Sequence, residues 1–427
     1  MKKCITVFAL VSLISMSLFG CSKKESSSGN RINQDITSSS VSESDISLDT
    51  LQDISDVKQT IKNELIYAKN AEYSNLEFSD FTISFPDIDS YYNLSLYTDR
   101  NSVSIEETYN SFCNQVMLVA PDIEFDEKNI YFCPKDLDDS YNCYSNGYPR
   151  VIEYKNDLFS KKIETWWYMY ETDTEGISED NLYLWLDPYT LFGVMIKGNG
   201  KNVTEPAFEH LNFWESNMYE NVEAYYPVER ITDEEQVLAD GKSLSLSSAV
   251  TIVNDFFSRN KPKQLNSNIK TEVVGIEVRK HNDTIGLKTL LANKYNDIPF
   301  DYEHNVSFKT NSDDRVTQSA NAFIAISDEV DYFYNLQIWT NIDTKGNEVK
   351  AIIPLQQALK KTSELLTDNI KFKVNDIKFV YLMKGDPTKT VEATGAWKIT
   401  TYNPNDSRTY QVYVNAETGD AKYYSIR

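Results

Sequence analysis

The first 21 residues decide which part of this chain is available to fold. Two lysines open the leader, residues 5–19 are apolar apart from small hydroxyl residues, and Gly20 lies directly before Cys21. This is the layout of a cleavable secretory signal. The apolar run is shorter than the ~18–20 residues that span a bilayer, and the polar residues from Ser22 onward offer no stop-transfer segment. Residues 1–20 are therefore predicted to be a signal peptide that takes no part in the fold.

The end of the leader, Leu18-Phe19-Gly20-Cys21, resembles the lipobox of bacterial lipoprotein precursors. The resemblance implies cleavage before Cys21, a diacylglyceryl thioether on its sulfur, and a chain attached to the extracytoplasmic face of the cell membrane. The pair Lys23-Lys24 is a weak second membrane signal, so the lipid on Cys21 is expected to carry the attachment by itself. The alternative is an ordinary signal peptide with an incidental cysteine.

Charge is divided unevenly along the rest of the chain. Residues 41–240 hold 40 Asp and Glu against 13 Lys and Arg, whereas residues 241–427 hold 22 against 24. An acidic field disfavours nucleic acid and anionic headgroups, which are bound through Lys and Arg patches. It favours a basic partner or divalent cations, although a solvated surface that keeps the protein soluble is the simpler interpretation.

Hydrophobic spacing predicts an acidic α+β domain over residues 49–240. Serine, asparagine and charged residues dominate residues 21–48, which are predicted to form a disordered tether. Apolar residues then recur at helical spacing over 51–65 and 104–118. Residues 162–196 carry strand-like runs that are separated by turn residues.

The second half contains an internal repeat. Residues 245–250 and 354–359 open two amphipathic helical patterns at an offset of 109 residues, with Ser245 placed to cap the first helix. Strand patterns follow each helix, and residues 321–339 are expected to form one strand. A helix laid on an antiparallel meander buries the apolar side of both. We therefore expect two helix-on-sheet units, over residues 241–347 and 348–427.

The closing strand of the second unit carries a family likeness. Residues 410–421, which read Tyr-Gln-Val-Tyr-Val-Asn-Ala-Glu-Thr-Gly-Asp-Ala, resemble the last strand and turn of a PepSY-type module. In that string Asn415 can form an Asx turn and Gly419 can take a positive φ. The likeness covers about 353–424, with a long insertion over 384–396 and a looser echo in the first repeat. It implies a non-catalytic extracytoplasmic module of the kind that takes part in protease inhibition or in control of partner proteins.

Catalytic residue patterns are missing from the sequence. The three histidines, His210, His281 and His304, are scattered over both halves, and no HExxH, GxSxG or P-loop spacing occurs. We therefore predict no catalytic residue, no metal site and no cofactor. A carboxylate pair of the kind that glycosidases use stays open as an alternative, because any two of the many acids can approach each other in space.

One acidic run resembles a calcium loop in part. Residues 171–180 place carboxylates at alternate positions before a glycine, and such oxygen-rich ligands suit Ca²⁺. The position that should bring a bidentate glutamate is Leu182, and the flanking residues have strand patterns. An exposed hairpin tip is the better interpretation.

Three cysteines remain after Cys21. Cys133 and Cys143 flank a turn-rich stretch and are the preferred pair for one extracytoplasmic disulfide, which stays open from sequence. Cys113 lies on the apolar face of a helical pattern and is expected to be a small buried hydrophobe.

Four tryptophans are the candidate ligand-facing aromatics: Trp166, Trp167, Trp185 and Trp214. Their flat faces suit a sugar or peptide. Strand alternation places Trp166 and Trp167 on opposite sides of a sheet, so one of the two is expected to be core.

Together these features predict a membrane-anchored α+β lipoprotein with a non-enzymatic binding or regulatory role in the cell envelope. Its expected contacts are the membrane, through the lipid on Cys21, and a protein partner in the envelope, with no nucleic acid. The alternatives are a solute- or glycan-binding lipoprotein and, from another class, a carboxylate-dependent hydrolase.

Overall fold

The structure of the protein is a computed structural model. It describes residues 51–61, 73, 75–97, 105–119, 125–134, 166–171, 182–187, 192–197, 222–238, 241–259, 266–281, 284–302, 315–317, 320–324, 330, 332–335, 341–366, 370–386 and 390–426. The predicted signal peptide, the predicted tether and Cys21 lie outside these residues.

Strands predominate among the described residues. In chain order they are β1 (Gln52–Asp53), β2 (Leu76–Glu77), β3 (Thr82–Ser84), β4 (Tyr91–Tyr97), β5 (Ile130–Pro134), β6 (Trp166–Glu171), β7 (Leu182–Asp187), β8 (Phe192–Lys197), β9 (Val222–Pro227), β10 (Glu235–Val237), β11 (Ser243–Ser245), β12 (Ile269–His281), β13 (Thr284–Tyr295), β14 (Ile298–Pro299), β15 (Arg315–Val316), β16 (Ala320–Ile324), β17 (Tyr332–Asn335), β18 (Asn341–Val349), β19 (Ala351–Ile352), β20 (Phe372–Gly385), β21 (Thr390–Asn403), β22 (Arg408–Asn415) and β23 (Ala421–Ile426). The helices are α1 (54–61), α2 (Ile105–Val119), α3 (Leu246–Arg259) and α4 (Leu355–Leu365). The fold is therefore mixed α and β, and rich in strands.

A ten-stranded sheet holds the first repeat. Its strand order is β5-β6-β7-β8-β17-β16-β13-β12-β9, and β14 pairs with the end of β13. Every pairing in it is antiparallel. Helix α3 packs on β12 and β13 and buries Ala249 and Val253 completely. The hydroxyl of Ser245 accepts a hydrogen bond from the Ser248 amide at 3.1 Å, which caps the helix as the sequence predicts.

A nine-stranded sheet holds the second repeat. Strands β20 to β23 form an antiparallel meander, and α4 packs on its last three strands. The turn before β23 has the predicted geometry, because the Asn415 side chain accepts from the amides of Glu417 and Thr418 and Gly419 has a φ of 72°. Strands β2, β3 and β15 pair with β20, while β4 lies between β21 and β18.

The sheets cut across the boundaries that charge and repeats suggest. Residues 51–97, which we placed in the acidic domain 49–240, supply strands and buried side chains to the sheet of the second repeat. Residues 130–227 instead extend the sheet of the first repeat through the β8–β17 and β9–β12 pairings. The physical reason is that a meander leaves open strand edges with which earlier parts of the chain can pair. In the first repeat β9 and β8 pair with the edges of β12 and β17, and in the second β2 and β3 pair with β20 while β4 pairs with β21.

The two repeats share a backbone irregularity as well as a topology. Helices α3 and α4 begin at Leu246 and Leu355, 109 residues apart, and each is followed by an antiparallel meander. The first strand of each meander has a β-bulge, between residues 273 and 275 in β12 and between 374 and 376 in β20. The bulges are offset by 101 residues, because the helix, the helix-to-strand connection and the part of the strand before the bulge are all shorter in the second repeat.

Two strand expectations are corrected. Residues 321–339, expected to form one strand, contain β16 and β17, which pair with each other as antiparallel neighbours. Much of the apparent insertion at 384–396 continues the β20–β21 hairpin. Its residues 390–393 hydrogen bond to β4, so the extra length provides an edge for the N-terminal strand.

Contact between β4 and the second repeat is close at Gly395. A Cβ atom built on Gly395 would lie 2.5 Å from the Tyr91 ring, a distance that side chains do not tolerate. The Tyr91 ring is buried and also contacts Phe379 and Tyr381. The glycine therefore allows an aromatic side chain of the N-terminal segment to enter the core of the second repeat.

Gly395→Ala is expected to destabilise the protein by about 1–3 kcal/mol, because the added methyl group overpacks the Tyr91 contact. In the Tyr91→Ala background the same change should cost much less, since the clashing ring is gone. Urea unfolding of the two single variants and the double variant measures this coupling. Additive costs would contradict the packing described here.

Candidate functional site

Both faces of the long strand pairs β12–β13 and β20–β21 carry buried residues. In the nine-stranded sheet the face toward α4 is apolar and includes Trp397, Ile399 and Val412. Alternate residues along the same strands point to the opposite face, where Lys398 and Gln411 are buried as well. Charged groups on a buried face need partners, and these come from the segment that follows β13.

A buried polar junction forms where that segment crosses from one sheet to the other. Its members are Asp301, Tyr302, Arg315, Lys378, Lys398, Gln411 and Tyr413. Strand β14 pairs with the end of β13, while the Asp301 amide donates to the Tyr381 carbonyl of β20. The Tyr302 side chain packs against Val274 and Leu290 of the ten-stranded sheet. Residues 300–302 therefore contact both sheets.

Asp301 is the centre of the junction. Its carboxylate is completely buried and accepts from Lys398 Nζ at 2.6 Å, from Arg315 Nε at 3.2 Å and from the Tyr413 hydroxyl at 3.2 Å. Burial by itself would raise the pKa of Asp301, but the charges of Lys398 and then Arg315 outweigh it and hold the pKa below its ordinary value. The carboxylate is thus ionised and fixed in position.

The cations of the junction are held by further contacts. Lys398 Nζ also donates to the Tyr302 carbonyl at 2.9 Å, and Arg315 donates to the Gln411 side chain at 2.9 Å. The Arg315 guanidinium lies over the rings of Tyr413 and Tyr424, 4.9 and 4.6 Å from their centroids. These are strong interactions for a desolvated guanidinium.

Lys378 extends the junction toward the N-terminal segment. Its Nζ donates to the Tyr302 hydroxyl at 2.7 Å and lies 3.0 Å from a carboxylate oxygen of Asp376. The other oxygen of Asp376 accepts from Thr82 of β3 at 2.7 Å. Polar contacts therefore connect β3, β20 and the crossing segment.

A second buried charged cluster lies on the equivalent face of the ten-stranded sheet. Arg279 donates to Glu277 at 2.9 and 2.5 Å, and Lys288 Nζ is 3.8 Å from the same carboxylate oxygen. Burial, together with the charge of Arg279, lowers the pKa of Lys288 to about 8, although Glu277 opposes the shift. Glu277 and Lys288 are cross-strand partners, as Lys378 and Lys398 are in the other sheet.

The arrangement is suited to holding elements together. The charged groups of the junction are buried and engage one another, whereas a general acid or base must reach a substrate. Within the described residues, no group of three His, Cys, Asp or Glu side chains is placed to hold a metal ion. No described helix is long and apolar enough to cross a membrane.

The candidate tryptophans are only partly described. Trp166 and Trp167 lie on β6, and Trp185 lies on the neighbouring strand β7, where it pairs with Met169. Trp214 lies outside the described residues. The backbone therefore brings three of the four onto adjacent strands of the ten-stranded sheet.

Other sequence candidates are scattered. Cys113 is half-buried and packs against the core beneath α3, and Cys133 lies on β5 opposite Trp167. Cys143 lies outside the described residues, so its disulfide with Cys133 stays a prediction. His281 ends β12, while His210, His304 and residues 172–180 of the acidic run are also outside.

Sequence reasoning did not find the junction. Asp301 and Lys398 are 97 residues apart, and Arg315 and Gln411 are 96 apart. The one local signal is a lysine in the middle of an otherwise apolar strand, as at Lys378 and Lys398. Such a lysine is usually taken as the solvent-facing member of an alternating pattern.

Comparison with known proteins identifies the C-terminal unit. Residues 352–421 match the PepSY family model, which is described as "Peptidase propeptide and YPEB domain". The chain thus has a PepSY domain at its C-terminus, which confirms the likeness of its last strand and turn. No curated protein matches the chain in sequence.

Two solved structures are similar to parts of the chain. One is an uncharacterized protein from Eubacterium rectale, with 10% identity over 82% of this chain and 91% of that chain and a TM-score of 0.41. The other is the C-terminal domain of YpeB from Bacillus megaterium, with 13% identity over 65% of this chain and 96% of that chain and a TM-score of 0.26.

Asp301→Asn should destabilise the protein by about 3–5 kcal/mol, because Lys398 and Arg315 would stay buried without their counter-charge. Asp297→Asn is the matched control, since Asp297 is half-exposed and pairs with Lys270 at 3.3 Å. It should cost less than about 1 kcal/mol. Urea unfolding of both variants measures the difference, and equal small effects would show that Asp301 does not hold the junction together.

Proposed function

We propose that this protein is a lipid-anchored, non-enzymatic binding or regulatory component of the cell envelope. The observation that carries the proposal is the PepSY domain over residues 352–421. The lipobox-like residues before Cys21 support the anchored, extracytoplasmic location. The buried junction supports a structural role for the charged residues that the fold brings together.

An envelope peptidase is the first class of partner to test. The name of the matched family refers to peptidase propeptides, and a propeptide is a segment that accompanies a peptidase. The acidic charge of residues 41–240 favours a partner with a basic surface. We therefore expect binding through surfaces, without chemistry at a side chain of this chain.

Attachment through Cys21 predicts the behaviour of the Cys21→Ala variant. Without a thiol at this position no lipid is added, so the protein should leave the membrane fraction and appear in soluble extracytoplasmic fractions. Cys113→Ala is the control and should stay with membranes. A Cys21→Ala protein that still resists alkaline extraction would refute lipid anchoring.

The binding role predicts specific capture of a partner. The full mature chain, cross-linked in its own envelope and analysed by mass spectrometry, should yield cross-links from residues 352–421 to a small set of proteins that includes a peptidase. The purified chain should turn over neither peptide nor glycan substrates. Deleting residues 353–427 is not a clean control, because residues 51–97 share their core.

Other outcomes favour the alternatives. Turnover that is lost when one acidic residue is changed to its amide would make the protein a hydrolase. Binding of envelope glycans that is lost in Trp167→Ala and Trp185→Ala, with no protein cross-links, would make it a glycan-binding lipoprotein. Either result would overturn the proposal.

A further inference from the structure

The end of the ten-stranded sheet has the features of a peptide-binding edge. Among the described strands β9 is the last of this sheet, and it pairs with β12 alone. The outer side of a terminal strand presents backbone N–H and C=O groups that can pair with an added strand. We call residues 222–235, which comprise β9 and the segment after it, the acidic edge.

Exposed apolar side chains are concentrated on this edge. Val222 is 44% exposed, Tyr225 40% and Val228 37%. These are three of the six large hydrophobic residues that are exposed in the described part of the chain. The edge therefore offers apolar contact area beside its backbone groups.

The same edge is strongly acidic. Its five carboxylates are all exposed: Glu223, Glu229, Asp233, Glu234 and Glu235. Its one cation, Arg230, forms an ion pair with Asp80 at 2.6 Å. In the part of the chain that the structure describes, Glu223, Glu229 and Glu235 have no cationic side chain within ion-pair distance, so no described residue neutralises their charge.

We propose that the acidic edge binds an extended, basic peptide segment of a partner protein by adding it as a strand beside β9. Backbone pairing supplies the affinity common to such complexes, apolar residues of the segment contact Val222 and Val228, and its Lys or Arg residues face the carboxylates. This inference rests on the proposed binding function and names the chemistry of the partner.

The negative charge of the acidic edge disfavours a second copy of this chain as its binding partner. A second copy of this chain would place two acidic edges side by side, and like charges directly opposite each other destabilise paired strands. A short, charged edge strand is also a common protection against edge-to-edge aggregation. The same charge attracts a basic segment, so protection and recognition are compatible.

The test uses a fluorescent synthetic peptide of alternating lysine and valine, with the full mature chain. Binding should protect backbone amides of residues 222–226 from hydrogen exchange. The variant with Glu223→Gln, Glu229→Gln and Glu235→Gln should bind the peptide about tenfold more weakly at low salt. Added salt should reduce that difference.

Matched variants distinguish peptide binding at the acidic edge from non-specific electrostatic attraction to an acidic protein. The variant with Asp53→Asn, Asp56→Asn and Glu106→Gln removes the same number of exposed charges elsewhere and should bind as the unmodified chain does. Val222→Ser should weaken binding, whereas Val237→Ser, which changes a more exposed valine on β10, should not.

Equal weakening by both charge variants, or amide protection outside β9, would overturn the proposal. Concentration-dependent dimerisation through β9 would overturn it in favour of a second copy. Failure here with intact cross-links from residues 352–421 would leave the proposed binding function standing and remove only this surface.

Discussion

The two sheets meet around one buried carboxylate. Asp301 accepts hydrogen bonds from Lys398 and Arg315 at a point where the backbone crosses from the ten-stranded to the nine-stranded sheet. A buried ion pair is stabilising only when its remaining hydrogen-bonding positions are also filled, and Tyr413 and Gln411 fill them. The Asp301 carboxylate is therefore matched by three donors at the point where the two sheets meet.

The repeated construction explains why such a junction is needed. Each repeat covers one face of its meander with its own helix, and the opposite face would expose a sheet-sized surface if nothing covered it. In both sheets this second face carries cross-strand charged pairs, Glu277–Lys288 and Lys378–Lys398, at equivalent positions after a β-bulge. Burial of these pairs is consistent with a chain that packs its repeats together instead of leaving them as separate modules.

This construction also bears on function. The PepSY domain of this chain is completed by strands from residues 75–97, so its shape is set by the whole protein. The charged residues inside the molecule hold its elements together, so the binding role that we propose would use outer edges and exposed side chains. The acidic edge is the surface that we propose for it, and it lies on the ten-stranded sheet, outside residues 352–421 of the PepSY domain.

Local sequence determined the helices, the long strands of the two meanders, the Ser245 cap, the turn at Asn415 and Gly419, and the PepSY likeness, because these features depend on spacing within a few residues. Pairing between distant segments came only from the tertiary structure. Three features join residues that are far apart in sequence. Strand β4 pairs with β21, the acidic region is divided between two sheets, and Asp301 contacts Lys398. Open strand edges and buried charges are satisfied by whichever segment the complete fold brings near, and no local pattern encodes that choice.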